Sequence, residues 1–211
     1  MNINKHNVAI NHLPSNIFGL VNIPQMIDFD NDADWLPFTK SHTTEVTKKS
    51  FDVVESICKN YMTDAIMEIG VSRNGDGSFT NAILKNKPDN IPYLGVDVEN
   101  KSYLQDPKKN IYTIQAKSEE QLKIRKHMQY LNINKLSILF IDGWHSLNTV
   151  INDWRYTDLL SHYSVVFLHD TNGHPGPTII LESIDKDIFN IKKYFENDDD
   201  YGLSIAVKKV L

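Results

Sequence analysis

The chain has 211 residues, 41% of them hydrophobic and 23% charged, which suits one folded domain with a sizeable core and excludes both a disordered chain and two full domains. A net charge of -5, dispersed apart from the run Glu196 to Asp200, offers no basic face to a nucleic-acid backbone, and the acidic run reads as a solvated loop because adjacent like charges repel. The single cysteine, Cys58, excludes an intramolecular disulfide and a cysteine-based zinc cluster, fits a reducing compartment, and reads as a buried apolar filler of a helix.

Residues 1–42 form an N-terminal extension punctuated by Pro14, Pro24 and Pro37. Its start, MNINKHNVAINHL, lacks the apolar core of a signal peptide, and no apolar run in the chain approaches the ~20 residues that span a bilayer. The expectation is a cytoplasmic protein with no membrane partner. Trp35, Phe38 and His42 could fold over a site as a lid or pack against the first helix, and the domain proper runs over 43–211.

Within that domain five short apolar runs alternate with polar or helix-patterned segments, as in a parallel sheet covered on both faces. A helix with Phe51, Val54, Ile57, Cys58 and Tyr61 at helical spacing precedes the first run, Ala65 to Gly70. Ser78 then sits where it can cap a second helix. The runs Tyr93 to Val98 and Ile111 to Ala116 follow. Ser118 and Gln121 read as a capping box opening a helix through Met128 and Leu131. The almost continuously apolar run Leu136 to Asp142 is expected in the middle of the sheet, as is Val165 to Asp170. Between them Leu147, Val150, Ile151 and Trp154 mark another helix. Pro177 suits the first turn of a helix carrying Ile180, Ile184 and Ile188, and Tyr201 to Lys209 reads as a last strand.

In an open parallel sheet, ligands bind beyond the carboxyl ends of the strands. The first end, Glu68-Ile-Gly70-Val-Ser-Arg-Asn-Gly75-Asp-Gly77-Ser78, joins an acid to a glycine turn that lets a ligand approach the backbone. It is not the dinucleotide pattern G-x-G-x-x-G, which counts against a nicotinamide cofactor. Asp97 ends the second run, where a carboxylate can accept both hydroxyls of a ribose.

The segments MEIGVSRNGDGSFT, YLGVDVEN, LSILFIDGWHS and VVFLHDTNGHPGP resemble the class I S-adenosylmethionine-dependent methyltransferases, in particular the small O-methyltransferase-like group. The resemblance covers residues 45 to 190 and implies a doubly wound, mostly parallel seven-stranded Rossmann-like α/β sheet with helices on both faces. By it, Glu68, Gly70 and Gly75 would line the methionine part of S-adenosyl-L-methionine, Asp97 would hold the ribose, Ser118 would lie near the adenine, and Asp142 would close the site. Relatives in that group carry metals on aspartates matching Asp142 and Asp170, so Mg²⁺ or another divalent cation is an expected partner of those two, with the third ligand unassigned.

Methyl transfer to a hydroxyl needs little beyond an in-line acceptor and a base for its proton. Asp142, His145 and Asp170 are the catalytic candidates. His169 and His174 are further bases by residue type, but alternation along a strand should turn His169 and Asp170 to opposite faces, which favours Asp170. Trp144 could wall the pocket or belong to the core. The expected acceptor is a small molecule or a sugar, and self-association is left open. A sugar-nucleotide-binding enzyme of the same fold, or a cofactor-binding module without catalysis, are the competing readings.

Overall fold

The computed structural model describes residues 17–21, 23, 46–72, 78–195 and 200–210. In chain order the elements are α1 (Lys48–Tyr61), β1 (Ala65–Ile69), α2 (Phe79–Asn86), β2 (Tyr93–Asp97), β3 (Ile111–Gln115), α3 (Gln121–Tyr130), β4 (Leu136–Ile141), α4 (Leu147–Trp154), β5 (Leu160–His169), α5 (Pro175–Ser183), β6 (Phe189–Tyr194) and β7 (Leu203–Lys208). The strands form a seven-stranded sheet in the order β3-β2-β1-β4-β5-β7-β6. The first five strands are parallel, and β7 runs antiparallel to both β5 and β6. The doubly wound α/β architecture expected from the sequence is the one observed.

Alternation along the central strands divides the core in two. Met67, Ile69, Leu139, Ile141, Val166 and Leu168 face α3, α4 and α5, where Met128, Val150, Trp154 and Ile180 pack against them. Ile66, Ile138, Phe140, Val165 and Phe167 face α1 and α2, meeting Val54, Cys58, Phe79 and Ile83. Each fully buried side chain of this kind contributes ~1.5–3 kcal/mol. Thr47 caps α1, Ser78 caps α2 and Ser146 caps α4, each hydroxyl accepting a backbone N–H of the first turn.

Three local expectations are corrected. Ser118 opens no helix: α3 begins after Glu120, which makes no side-chain cap, while the Ser118 carbonyl accepts the Tyr156 hydroxyl at 2.9 Å. The helix after Pro177 ends at Ser183, and Ile184 is already extended; Ile188 leads into β6, where Phe189 and Ile191 face inward between Asn190 and Lys192. Asp200 is not a solvated acid. It is 3% exposed, and its carboxylate accepts the Gly202 N–H at 2.8 Å, closing the turn into β7.

Of the N-terminal extension, residues 17–21 pack against the carboxyl ends of α4 and α5. The Trp154 indole donates to the Phe18 carbonyl at 2.9 Å, Leu20 bridges Ile184, and Phe18 meets Phe189 edge-on. Those helix ends lie on the side of the sheet away from the carboxyl ends of β1, β2 and β4. Trp35, Phe38 and His42, read from the sequence either as a lid or as packing against the first helix, lie outside the described residues. Among the described residues no helix is long and apolar enough to cross a membrane.

Candidate active site

Strand order reverses between β1 and β4, and a cavity of about 910 Å³ opens beyond the carboxyl ends of the strands there. Its volume falls within the ~300–1,000 Å³ usual for small-molecule sites, and its position is the ligand crevice of open α/β sheets. Gly70, Asp97, Ser118, Asp142, Trp144, His145, His169, Asp170 and His174 all line it. Gly75 lies outside the described residues.

One half of the cavity is built from the ends of β1, β2 and β3. Gly70 has φ +85°, and a Cβ there would meet the Asp142 carbonyl oxygen at 2.0 Å and the Gly143 nitrogen at 2.7 Å. Only glycine allows the β1 turn to lie this close to the β4 loop. Asp97 sits across from it, its carboxylate accepting the Val71 N–H at 2.9 Å and the Glu99 N–H at 2.7 Å. Each carboxylate oxygen keeps a further lone pair, so the group can still accept from a diol. Ser118 is buried in the cavity wall after β3.

Glu68 belongs to this half but does not line the cavity. Pointing into the core beneath the β1 turn, it accepts the Thr80 hydroxyl at 2.7 Å and the Tyr93 hydroxyl, and Thr80 in turn accepts the Ser72 N–H at 2.9 Å. Burial pushes the Glu68 carboxyl up to about 8, against the opposing pull of its Tyr93 and Thr80 hydrogen bonds. It therefore braces the glycine turn from below, and the sequence expectation that it lines the methionine end is not what the geometry displays.

The other half is a chain of alternating imidazoles and carboxylates. His145 Nε2 lies 2.5 Å from Asp170 Oδ2, Asp170 Oδ2 lies 3.2 Å from His169 Nδ1, and His169 Nδ1 lies 2.9 Å from Asp142 Oδ1. The register of β4 and β5 accounts for the last contact. Phe140 pairs with Phe167 and Ile141 with Leu168, so Asp142 and His169 come next on the same face.

Alternation would have sent Asp170 to the opposite face. Instead Asp170 has φ +60°, which ends the strand and turns its carboxylate back toward His169. The expectation that the two point apart is thus corrected, and His169, passed over in the sequence, joins the site. The signal that could have found it was the equal spacing of FIDG and FLHD from their strand ends.

Within the chain Asp142 and His145 are 25% and 20% exposed, while His169 and Asp170 are each 6% exposed. Each reachable group is thus backed by a buried one. Burial opposes charge on His169, but the adjacent carboxylates of Asp170 and Asp142 win and raise it well above the ordinary histidine value. His145 is raised by the same balance, burial being outweighed by Asp170. Burial also opposes ionisation of Asp170, yet His169 and His145 hold its carboxyl well below the ordinary range.

The His174 ring stacks on His145 with centroids 4.2 Å apart and planes 8° apart, and Tyr201 stacks on His174 in turn. Trp144 is 49% exposed and walls the cavity, so it is not a core residue. Gly176, in the first turn of α5, lets that helix press against the β4 loop, where a Cβ would meet the His145 carbonyl oxygen at 2.1 Å.

Asp142, His169 and Asp170 offer donor atoms within 4.8 Å of one another. Two ligands at right angles, each ~2.1 Å from an ion, lie ~3.0 Å apart. His169 Nδ1 hydrogen-bonds Asp142 Oδ1 at 2.9 Å and lies 3.2 Å from Asp170 Oδ2, separations compatible with that spacing, so these three residues fit a divalent cation that takes the place of the imidazole proton.

No protein-family model matches the chain, and no curated protein sequence matches it. Solved structures do. MycE, a methyltransferase of mycinamycin biosynthesis solved with Mg, SAH and mycinamycin VI, superimposes with a TM-score of 0.56 at 13% identity over 82% of this chain and 52% of its own; this chain therefore spans about half the length of MycE. The O-methyltransferase from Bacillus cereus in complex with SAH gives a TM-score of 0.56 at 13% identity, over 87% of this chain and 94% of its own. TomG, an O-methyltransferase from Streptomyces achromogenes involved in tomaymycin synthesis and solved with SAM, gives 0.55 at 12% identity, over 78% and 82%. The chain has the Rossmann-like α/β fold of these S-adenosylmethionine-dependent methyltransferases.

Proposed function

We infer that the protein is an S-adenosylmethionine-dependent methyltransferase that methylates a hydroxyl of a sugar or another small metabolite. The observation that carries this reading is a single cavity at the switch point with the Gly70 turn and the Asp97 carboxylate on one side and the His145–Asp170–His169–Asp142 chain on the other. The similarity to O-methyltransferases solved with SAH or SAM supports the same assignment.

In this reading the cosubstrate lies across the ends of β1, β2 and β3. The Gly70 turn accommodates the methionine portion, Asp97 accepts the ribose hydroxyls, and Ser118 borders the adenine. Asp142 stands at the boundary between cosubstrate and acceptor. The acceptor enters against Trp144 and His145, where the stacked His174 and Tyr201 rings hold the His145 ring in place.

Methyl transfer then breaks the C–S bond of the sulfonium as the acceptor oxygen bonds the methyl carbon. The electron pair stays on sulfur, giving S-adenosylhomocysteine, and the hydroxyl proton passes to His145, whose imidazolium Asp170 stabilises. A divalent cation held by Asp142 and Asp170 would acidify the acceptor hydroxyl and fix its oxygen in line.

Titration calorimetry separates this reading from a nucleotide-binding enzyme of the same fold. S-adenosylhomocysteine should bind with a 1:1 stoichiometry and NAD should not. Binding of NAD without S-adenosylhomocysteine would overturn the assignment.

A further inference from the structure

The site contains two overlapping clusters of three metal-ligating groups, Asp142–His169–Asp170 and His145–Asp170–His174. In the second, the two imidazoles lie face to face with planes 8° apart. Lone pairs in two parallel ring planes run side by side and do not converge on one ion. His145 Nε2 and Asp170 Oδ2 are also only 2.5 Å apart, an ion-pair contact well below the ~3.0 Å expected of neighbouring ligands. The second cluster is thus a stacked and ion-paired support.

The first cluster has the opposite geometry. His169 Nδ1 lies between the two carboxylates, 2.9 Å from Asp142 and 3.2 Å from Asp170. Its ring is held by the edge-to-face contact with Phe79 at 5.0 Å and by the hydrogen bond to Asp142, so the nitrogen cannot swing away without losing both. An ion that engages Asp142 Oδ1 and Asp170 Oδ2 meets this nitrogen.

That donor decides which ion suits the site. Mg²⁺ is hard, dehydrates reluctantly and prefers oxygen around it, whereas imidazole suits Ni²⁺, Zn²⁺ and Co²⁺. We propose that Asp142, His169 and Asp170 form a mixed nitrogen–oxygen site for a first-row transition-metal ion, with His169 Nδ1 as the ligand that turns the site away from Mg²⁺. The proposal rests on the reading of the cavity as a hydroxyl methyltransferase site, since it names the ion that would serve it.

Carboxylate sites also rank Ni²⁺ above Mg²⁺, so the discriminating quantity is the change in that ranking when the nitrogen is removed. The full chain, stripped of metal with a chelator, is titrated calorimetrically with NiCl₂ and MgCl₂, and with CoCl₂ while its visible absorption is followed. The wild type should bind Ni²⁺ tightly and develop a cobalt spectrum that changes in His169→Asp. The ratio of Ni²⁺ to Mg²⁺ affinity should fall at least ~tenfold in that variant, ~1.4 kcal/mol. Asp142→Asn should weaken both ions, which identifies the titrated site against the other histidines of the chain.

An unchanged ratio, an unchanged cobalt spectrum, or no metal binding to the wild type would overturn the proposal. His169→Asn, which keeps a polar group without the imidazole, should lose Ni²⁺ binding while melting near the wild-type temperature. That result guards against misfolding of the aspartate variant. S-adenosylhomocysteine binding measured in chelator tests the methyltransferase reading separately. Retained nucleoside binding with an unchanged metal ratio defeats this proposal alone; loss of nucleoside binding with the expected ratio defeats the functional reading.

Discussion

Glu68 makes stability depend on pH in a direction opposite to that of an ordinary paired carboxylate. It is 1% exposed, and burial raises its carboxyl from the ordinary 4.5 to about 8 even though Tyr93 and Thr80 hydrogen-bond it. In the unfolded chain the group ionises near its ordinary value. Between these two values the folded protein binds a proton that the unfolded chain has released, so this contribution is complete at low pH and is lost as pH rises toward about 8. Each pH unit in that window costs ~1.4 kcal/mol, which sets a ceiling of ~5 kcal/mol; water penetration and local relaxation bring the expected loss to roughly 2–4 kcal/mol. Glu68→Gln replaces the neutral acid by an amide of similar shape, with a carbonyl oxygen that accepts and an NH2 group that donates, and without a proton to lose. Urea unfolding at intervals from pH 5 to pH 8.5 should give a wild-type stability that falls relative to Glu68→Gln, the variant becoming the more stable protein by pH 8. Parallel curves for the two proteins would refute the reasoning and mean that Glu68 is ionised in the folded state.

Asp153, fully buried in α4 and raised by burial to about 7, should behave in the same way. Asp153→Asn is expected to flatten the stability profile between pH 4 and pH 7, and unfolding curves with an undiminished slope would count against it. Gly70→Ala should destabilise the fold by roughly 2–4 kcal/mol, because a Cβ would strike the Asp142 carbonyl at a positive φ; a loss below ~0.5 kcal/mol would mean that the two turns can separate. Asp97→Ala should weaken S-adenosylhomocysteine at least ~tenfold in calorimetry, and unchanged affinity would misplace the ribose. Asp142→Ala and Asp170→Ala should abolish methyl transfer while cosubstrate binding is retained, and an active double variant would remove both from the chemistry.

Much of the fold could be read because its central strands are buried on both faces. Runs such as LSILFID and VVFLHD need no partner to declare themselves, and the sheet placed their carboxyl ends together by topology alone. The edge was harder to read. FNIKKY alternates as a half-buried strand should, but the apolar spacing of Ile180, Ile184 and Ile188 continues past the end of α5 and imitates a longer helix. Ser118 and Gln121 have the residue types of a capping box without its backbone, since the chain turns at Lys117–Glu120 before the helix begins.

At the site, Gly70, Asp97, Ser118, Asp142, His145 and Asp170 were legible as residues at strand ends, and they line one cavity. Glu68 was legible as an acid but not as a buried one, because its partners Thr80 and Tyr93 come from α2 and β2. His169 was hidden by the assumption that β geometry persists through Asp170. A single left-handed residue overturns that assumption, and no local sequence signal such as glycine marks it.

The proposed methyl transfer requires one cavity to serve both halves of a sulfonium nucleoside and its acceptor. A crystal structure with S-adenosylhomocysteine tests this directly. The ribose hydroxyls should lie within hydrogen-bond distance of Asp97, with the sulfur directed toward Asp142. Electron density for the nucleoside elsewhere, or bound with its ribose away from β2, would contradict the proposed function.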